Sequence, residues 1–458
     1  MTASGLAARE LATRARTTAR PSLVLGLAIP LVFLHRNYQP DVTLDVGPAS
    51  LDVFLSDLAI LAVVVAAVVV AARDGLGSLA AARRLWLLAG AFLAWLVLSV
   101  VYGRLLANGY PFTTHLVSAA KFVEYALLAP AAVMLLREVE DVVLALAAVV
   151  GWSLFMSLIA LLQFLGLVDE FEGRRPGQRE PSYLGIHDFA AFSGAALALA
   201  LVAIAWPRVR RRAVAVGGVT GALGIVLAAS IYAVGGLIAS ALGVGLLVRR
   251  RLGLDRRRAL ALAGVCVVVT AGAFSLRGSA TEAFLRFLGI KPQTRQTTEN
   301  VQSWSQRLML GYIGVRIFVD HPVLGVGFQG SQDRFAYGPQ LAQAHARFPN
   351  QPAQAFPSDA HPWGVQNGPI QALADMGVIG FALLAGTVIA SLVLAGRLAL
   401  RAPPMLARLG LVAFGWILFA VAAISGVGLY AGIPSDALLW LGIGLAGALA
   451  AMDARAAG

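Results

Sequence analysis

Twelve long apolar runs constrain this chain more than any other feature of its sequence. A helix needs roughly 20 apolar residues to cross a bilayer, and 59% of the 458 residues are hydrophobic while only 13% are charged. Such a composition excludes a water-soluble domain. We therefore predict an all-α polytopic membrane protein with about 12 transmembrane helices. The predicted spans are 21–34, 55–72, 85–102, 113–136, 142–168, 188–206, 213–229, 232–248, 259–276, 371–395, 406–426 and 437–452.

The distribution of arginine predicts the orientation, because basic residues in short loops stay on the cytoplasmic side. With the amino terminus inside, the cytoplasmic loops and tails hold 22 of the 36 basic side chains, and the carboxyl terminus is also cytoplasmic. The net charge of +12 is then a topology signal and a contact with anionic lipids, and it does not indicate a nucleic-acid partner. The first run is expected to be an uncleaved signal anchor. The single cysteine, Cys266, lies in a predicted span and cannot form an internal disulfide.

Three parts follow from this topology. Residues 1–276 carry spans 1–9 and a basic external loop at 169–187, residues 277–364 form a long external loop, and residues 365–458 carry spans 10–12. All six histidines fall on the outer side, and long polar loops are often functional. His187-Asp188, at the start of span 6, is interpreted as an N-terminal helix cap.

Within the long loop, residues 304–319 have helical periodicity, with an apolar stripe at Leu308, Tyr312, Val315 and Val319. Arg307 and Arg316 are nine positions apart, which places them about 180° from each other on a straight helix. They cannot both face one ligand unless the helix breaks. The spacing favours Arg307 for a site, with Arg316 predicted to snorkel or to pair with Asp320.

Two further patterns follow this helix in the sequence. Pro322 followed by Gly325 and Gly327 predicts a turn whose backbone can approach another surface closely. Asn367, Gln371 and Asp375, four residues apart, form a polar stripe on an apolar span, which is typical either of a water-filled cavity or of packing between helices.

These features together resemble the O-antigen ligase and O-antigen polymerase superfamily of bacterial membrane glycosyltransferases. Arg307 precedes Pro322-Val323-Leu324-Gly325-Val326-Gly327, and Asn367 stands nine residues before Gly377-Val378-Ile379-Gly380. Upstream, Arg174-Arg175-Pro176-Gly177 is similar to the other arginine-bearing loop of the family. The resemblance covers about residues 174–380. The chain departs from the family pattern at Gln366, which replaces a histidine and cannot accept a proton.

The resemblance implies transfer of a glycan from an undecaprenyl diphosphate-linked oligosaccharide donor to a sugar hydroxyl of a glycan or lipid-linked acceptor, on the outer face of the bacterial inner membrane. It implies no cofactor, and the few acidic clusters outside the membrane suggest no metal. Arginine suits the diphosphate because its planar fork binds phosphate oxygens and keeps its charge. The candidate catalytic residues are His361 and Arg307, and the candidate substrate-binding residues are Arg174, Arg175, Arg179, Arg316, Gln366 and Asn367. Two alternatives follow for the missing histidine: His361, five residues before Gln366, takes its role by reaching from the loop, or this branch of the family uses no histidine base.

Alternatives remain open at this point. A ligase and a polymerase differ in their acceptor, and the altered His-Asn pair favours a polymerase. A secondary transporter would suit twelve spans with Lys121 and Glu124 inside the membrane, although these two residues are also spaced as an intrahelical pair. A lipid-binding scaffold without turnover is the third possibility.

Overall fold

The computed structural model of the protein describes residues 20–46, 49–207, 211–292, 301, 303–430 and 432–457. Helices make up most of it, and one antiparallel hairpin, β1 (Asp41–Val46) and β2 (Ala49–Phe54), lies between the first two long helices. The helices are α1 (Ser22–Val32), α2 (Leu55–Asp74), α3 (Gly77–Ala80), α4 (Arg83–Leu106), α5 (Phe112–Ala126), α6 (Leu128–Leu135), α7 (Val139–Phe164), α8 (Ile186–Ala205), α9 (Arg211–Ala228), α10 (Ile231–Leu252), α11 (Arg256–Ser275), α12 (Gly278–Phe287), α13 (Ser303–Asp320), α14 (Arg334–Tyr337), α15 (Leu341–Arg347), α16 (Gly368–Arg401), α17 (Pro404–Val427) and α18 (Pro434–Ala457).

The all-α polytopic prediction is confirmed. In the described part of the chain, ten helical segments are long and apolar enough to cross a membrane, with α5 and α6 together forming one of them. Two shorter apolar helices, α1 and the 214–228 portion of α9, coincide with the first and seventh predicted spans. The sequence did not predict the hairpin, whose strands are only six residues long.

The centre of the bundle is formed by α8 and α18, most of whose residues are buried. Helix α8 packs against α9, α10 and α17, and small residues allow this close approach. A Cβ atom added to Gly224 of α9 would lie 2.1 Å from the Ser193 hydroxyl oxygen of α8. Only Ala229 and Ser230 separate α9 from α10, and Ala229 adopts a φ of 45°.

Helix α13 is continuous from Ser303 to Asp320, as predicted, and packs against α16. The face that enters the protein interior carries Met309, Ile313 and Ile317. The predicted stripe lies elsewhere on the helix, since Leu308 and Val315 are exposed.

The glycine-rich turn after α13 docks on a kink in α16. The kink is at Gly377, whose φ of 65° and ψ of −170° interrupt the helix. The Val378 N–H freed there donates to the Pro322 carbonyl at 2.9 Å. A Cβ atom on Gly377 would lie 2.1 Å from the Val323 carbonyl oxygen, and one on Gly325 would lie 2.3 Å from the Asp375 carbonyl carbon. The two glycine motifs are therefore the two sides of one contact.

The polar stripe of α16 stabilises the same contact. Asp375, which is 1% exposed, accepts hydrogen bonds from the backbone N–H groups of Gln329 (3.0 Å) and Ser331 (2.9 Å). Gln371 donates to Asp375 at 3.1 Å and accepts from the Leu429 N–H at 2.6 Å. Of the two interpretations of this stripe, the structure supports packing for Gln371 and Asp375, whereas Asn367 lines a cavity.

Candidate functional site: two adjoining cavities lined by arginine

A largely apolar cavity of about 590 Å³ opens between α10, α12, α13 and the start of α16. The exposed stripe of α13 forms one wall, so the stripe faces this cavity and not the core. Polar atoms reach the cavity from Arg307, Gln366 and Asn367. The complete lining is Ile231, Tyr232, Phe284, Trp304, Arg307, Leu308, Gly311, Tyr312, Val315, Gln366, Asn367 and Ile370.

A second, more polar cavity of about 240 Å³ adjoins the first, and Phe284 and Trp304 line both. Three arginines, from the 165–185 loop and from the end of α11, face it. Its lining is Arg174, Gln178, Arg179, Leu276, Arg277, Ser279, Ala280, Phe284, Ser303, Trp304 and Ser305. We refer to Arg174, Arg179, Arg277 and Arg307 as the arginine cluster.

Arg307 is held by two neutral groups. Its Nε donates to the Gln366 side-chain oxygen at 3.0 Å, and its Nη2 lies 2.9 Å from His187 Nε2. The guanidinium also lies over the Tyr232 ring, 5.5 Å from the centroid, a favourable cation–π distance. Its Nη1 is buried and has no hydrogen-bond partner among the described residues.

His187 connects Arg307 to the loop between α9 and α10. Its Nδ1 lies 3.0 Å from the Ser230 hydroxyl. A guanidinium offers only N–H donors, so His187 Nε2 accepts from Arg307 and the ring proton on Nδ1 donates to Ser230. The capping prediction for His187-Asp188 is wrong, because Gly185 is the N-cap residue and Asp188 accepts from the Ser435 N–H.

Arg277 was not predicted as a site residue. It is 5% exposed, and its Nε and Nη1 are buried without partners among the described residues. Its guanidinium lies 4.8 Å from the Trp304 ring centroid. Burial, together with the positive charges of Arg307 and Arg174, lowers the pKa of Arg277 to about 10. A signal was present in the sequence, since an arginine at the end of a span that the sequence assigns to the outer side runs against the usual charge bias.

Arg179 shows the same electrostatic environment. Burial, with the charges of Arg174 and Arg277, lowers its pKa to about 9, and its Nη1 is buried without a described partner. Arg174 differs, because Glu172 accepts from its Nη2 at 2.6 Å. A lowered arginine pKa means that the positive charge is disfavoured where it stands, so an anion in this cavity would relieve the repulsion.

The other arginine candidates lie outside the two cavities. Arg175 is exposed and lines neither of them. Arg316 is also absent from both linings, in agreement with the helix-phase argument. The predicted partner of Arg316, Asp320, accepts instead from the Gln340 side chain at 2.6 Å.

Of the three residues predicted to act on the acceptor, two line the apolar cavity and one does not. Gln366 and Asn367 line the apolar cavity. Asn367 caps α16, because its side-chain oxygen accepts from the Ile370 N–H at 3.0 Å while its amide donates to the Ser425 carbonyl. His361 is exposed, its ring stacks 5.9 Å from the Trp363 ring, and it lines neither cavity.

The Lys121–Glu124 pair predicted within one helix is wrong. Lys121 instead donates to the Asp57 carboxylate of α2 at 3.0 Å and to the Asp52 carbonyl at 2.7 Å. This interaction ties α5 to α2 and to the hairpin. Across the described ranges, no group of three or more His, Cys, Asp and Glu side chains could hold a metal ion.

The fold and the site thus define a polytopic membrane protein with an arginine-lined cavity beside an apolar one. A family model described as O-antigen ligase matches residues 216–385. The match confirms the resemblance to the O-antigen ligase and polymerase superfamily and supports glycan transfer of that general type. It includes Arg277, Arg307 and Gln366, whereas Arg174, Arg179 and His187 lie before it. No curated protein matches the chain.

Proposed function

We propose that this protein transfers a glycan from an undecaprenyl diphosphate-linked oligosaccharide to the hydroxyl of an acceptor sugar at the outer face of the bacterial inner membrane. One observation carries the proposal: three arginines with buried guanidinium nitrogens that have no partner among the described residues, Arg179, Arg277 and Arg307, line the two adjoining cavities. Leaving a buried charged donor unpaired is costly. A bound anion supplies the missing acceptors.

A diphosphate fits this arrangement better than a single carboxylate does. It carries several oxygens and more than one negative charge, and guanidinium groups bind such oxygens in pairs. Arg307 faces one cavity, and Arg174, Arg179 and Arg277 face the adjoining one. The cluster would therefore hold the diphosphate where the two cavities meet.

The same charges serve the reaction. As the sugar–phosphate bond breaks, negative charge increases on the departing diphosphate, and cations fixed in advance stabilise this charge more in the transition state than in the ground state. Four guanidinium groups supply that stabilisation, so the proposed mechanism uses no metal ion. The apolar cavity beside them, with Leu308, Tyr312 and Val315 on one wall, would take the part of the isoprenoid chain nearest the diphosphate.

The acceptor side of the proposal rests on the sequence assignment. A group must orient or deprotonate the acceptor hydroxyl. Gln366 cannot take a proton, and its oxygen already accepts from Arg307. His361 remains the predicted base, five residues before Gln366. It lies outside the arginine cluster, so His361→Ala should reduce turnover while leaving donor binding unchanged.

The orientation is also part of the proposal. Residues 277–364 are assigned to the outer side, where the arginine cluster meets the donor, and both termini to the cytoplasm. The support is the concentration of basic residues in the loops assigned to the inside.

Purified protein in nanodiscs, given a lipid-linked oligosaccharide, tests the activity. Glycans that are lengthened on the lipid carrier indicate a polymerase, and glycans moved to a different acceptor indicate a ligase. Binding without product would instead show a scaffold, and movement of an intact solute across the membrane would show a transporter. Arg307→Ala should abolish product formation, and full activity of both Arg307→Ala and His361→Ala would show that the proposed site is wrong.

A further inference from the structure

The proposed reaction assigns no role to His187, a polar residue that contacts Arg307. His187 lies at the start of α8, outside the matched region, and contacts Nη2 of Arg307, whereas Gln366 contacts Nε. We propose that His187 is a positioning residue that accepts a hydrogen bond from Arg307 and fixes its guanidinium for the diphosphate. The inference rests on the function proposed above and adds a residue to its donor site.

Because the guanidinium is planar, the contact with His187 helps to fix the position of the whole group. Gln366 holds Nε and His187 holds Nη2. Because the three nitrogens form a rigid planar fork, two fixed nitrogens determine the position of the third. That third nitrogen, Nη1, is the one without a described partner, so His187 and Gln366 together direct it to the ligand.

The choice of partners preserves the charge. A carboxylate in either position would neutralise Arg307 and weaken its attraction for an anion. Glu172 shows the contrast within the same chain, because it pairs directly with Arg174. The imidazole of His187 and the amide of Gln366 are both neutral acceptors, so they fix Arg307 in place without pairing its guanidinium with a carboxylate.

Ser230 selects the tautomer of His187 that can accept a hydrogen bond from Arg307. Its hydroxyl lies 3.0 Å from Nδ1 and is 1% exposed, and an acceptor at Nδ1 keeps the proton there and the lone pair on Nε2. This lone pair is already occupied by Arg307. His187 is therefore unsuited to remove the proton of the acceptor hydroxyl, and its role is distinct from that of the base.

Equilibrium binding of undecaprenyl diphosphate to the full-length protein in nanodiscs tests the inference. His187→Ala should weaken binding about tenfold, as expected for loss of a hydrogen bond to a charged group. His187→Gln should restore binding to within about threefold, because its amide oxygen can accept in place of Nε2. His345→Gln, at an exposed histidine that stacks on Phe356, is the matched control and should bind as the wild type does.

A double-mutant cycle separates positioning from a general structural effect. If His187 acts through Arg307, His187→Ala should change binding by less than about twofold in an Arg307→Ala background. Equal losses in both backgrounds, or wild-type binding by His187→Ala, would overturn the inference while the proposed function stands. A wild-type protein that binds no lipid diphosphate would overturn both.

Discussion

The arginine side chains differ in whether a carboxylate pairs with their positive charge. Arg137 and Arg334, at the surface, pair with Asp74 and Asp359, which are contacts of little net energy. Arg277 and Arg179, in contrast, have buried guanidinium nitrogens without partners among the described residues, and the charge of Arg277 contributes to the lowered pKa of Arg179. Such an arrangement reduces stability in the absence of a ligand and favours an anion. Strained charge of this kind is typical of binding sites.

Arg277 gives the first prediction at this scale. Arg277→Ala should reduce glycan transfer by about tenfold or more, because it removes a cation that stabilises the departing diphosphate. Arg277→Lys should recover only part of the activity, since an ammonium group lacks the planar fork that lies over Trp304. Initial rates at saturating acceptor measure both effects. Arg347→Ala, at an exposed arginine, should retain wild-type rates, and an Arg277→Ala variant with wild-type rates would remove Arg277 from the site.

Glu180 gives a second prediction, concerning pH. Its side chain is 1% exposed, and burial, with the negative charge of Glu170, raises its pKa to about 7. The folded state therefore binds this proton more tightly than the unfolded state, whose pKa is 4.5. The contribution of Glu180 to stability is present below that value and is lost as the pH rises through about 7. Glu180→Gln should raise the Tm at pH 8 and flatten its pH dependence, whereas Glu140→Gln, at an exposed position, should leave the profile unchanged.

At the scale of elements, the decisive contact is between the glycine turn after α13 and the kink in α16. Three backbone hydrogen bonds join them, from the N–H groups of Val326, Gly327 and Val378. The contact fixes the carboxyl end of α13, the helix that carries Arg307, relative to α16, the helix that begins just after Gln366. The sequence predicted both glycine motifs but not their contact, because some 50 residues separate them and local patterns do not report such pairings.

Substitution at the kink tests this contact. Gly377→Ala forces an alanine to adopt a positive φ and places its Cβ atom against the Val323 carbonyl. The substitution should destabilise the protein by about 2 kcal/mol or more. Thermal unfolding in detergent measures this loss. Gly235→Ala, in α10 with no heavy atom within 4 Å of the new Cβ, should unfold near the wild-type temperature. Equal Tm values for the two variants would show that the turn does not dock as described.

For the whole molecule, the sequence predicted the helices well and some of the residues that line the candidate site. Every predicted span overlaps a helix, because burial in lipid demands long apolar runs with satisfied backbone. Arg307 was identified from helix phase, which is a local property. Neither Arg277 nor the contact of His187 with Arg307 was predicted, because the packing of α8, α11 and α13 brings these residues near Arg307. The fold also brings Gln366 next to Arg307, where it accepts a hydrogen bond.

The topology makes a prediction at this largest scale. Cys266 is the only cysteine, so a Cys266→Ser background allows single reporter cysteines. With the proposed orientation, Asp359→Cys should react with a membrane-impermeant maleimide in intact cells, whereas Arg250→Cys should react only after the membrane is opened. Labelling in the reverse order would place the arginine cluster on the cytoplasmic side and contradict the orientation.

A cryo-electron microscopy structure of the protein in nanodiscs with undecaprenyl diphosphate bound is the decisive test of the arginine cluster. We expect diphosphate density within about 3 Å of the buried nitrogens of Arg179, Arg277 and Arg307, with the first isoprenoid units along the exposed stripe of α13. Diphosphate density elsewhere, with the three guanidinium groups still unpartnered, would contradict it.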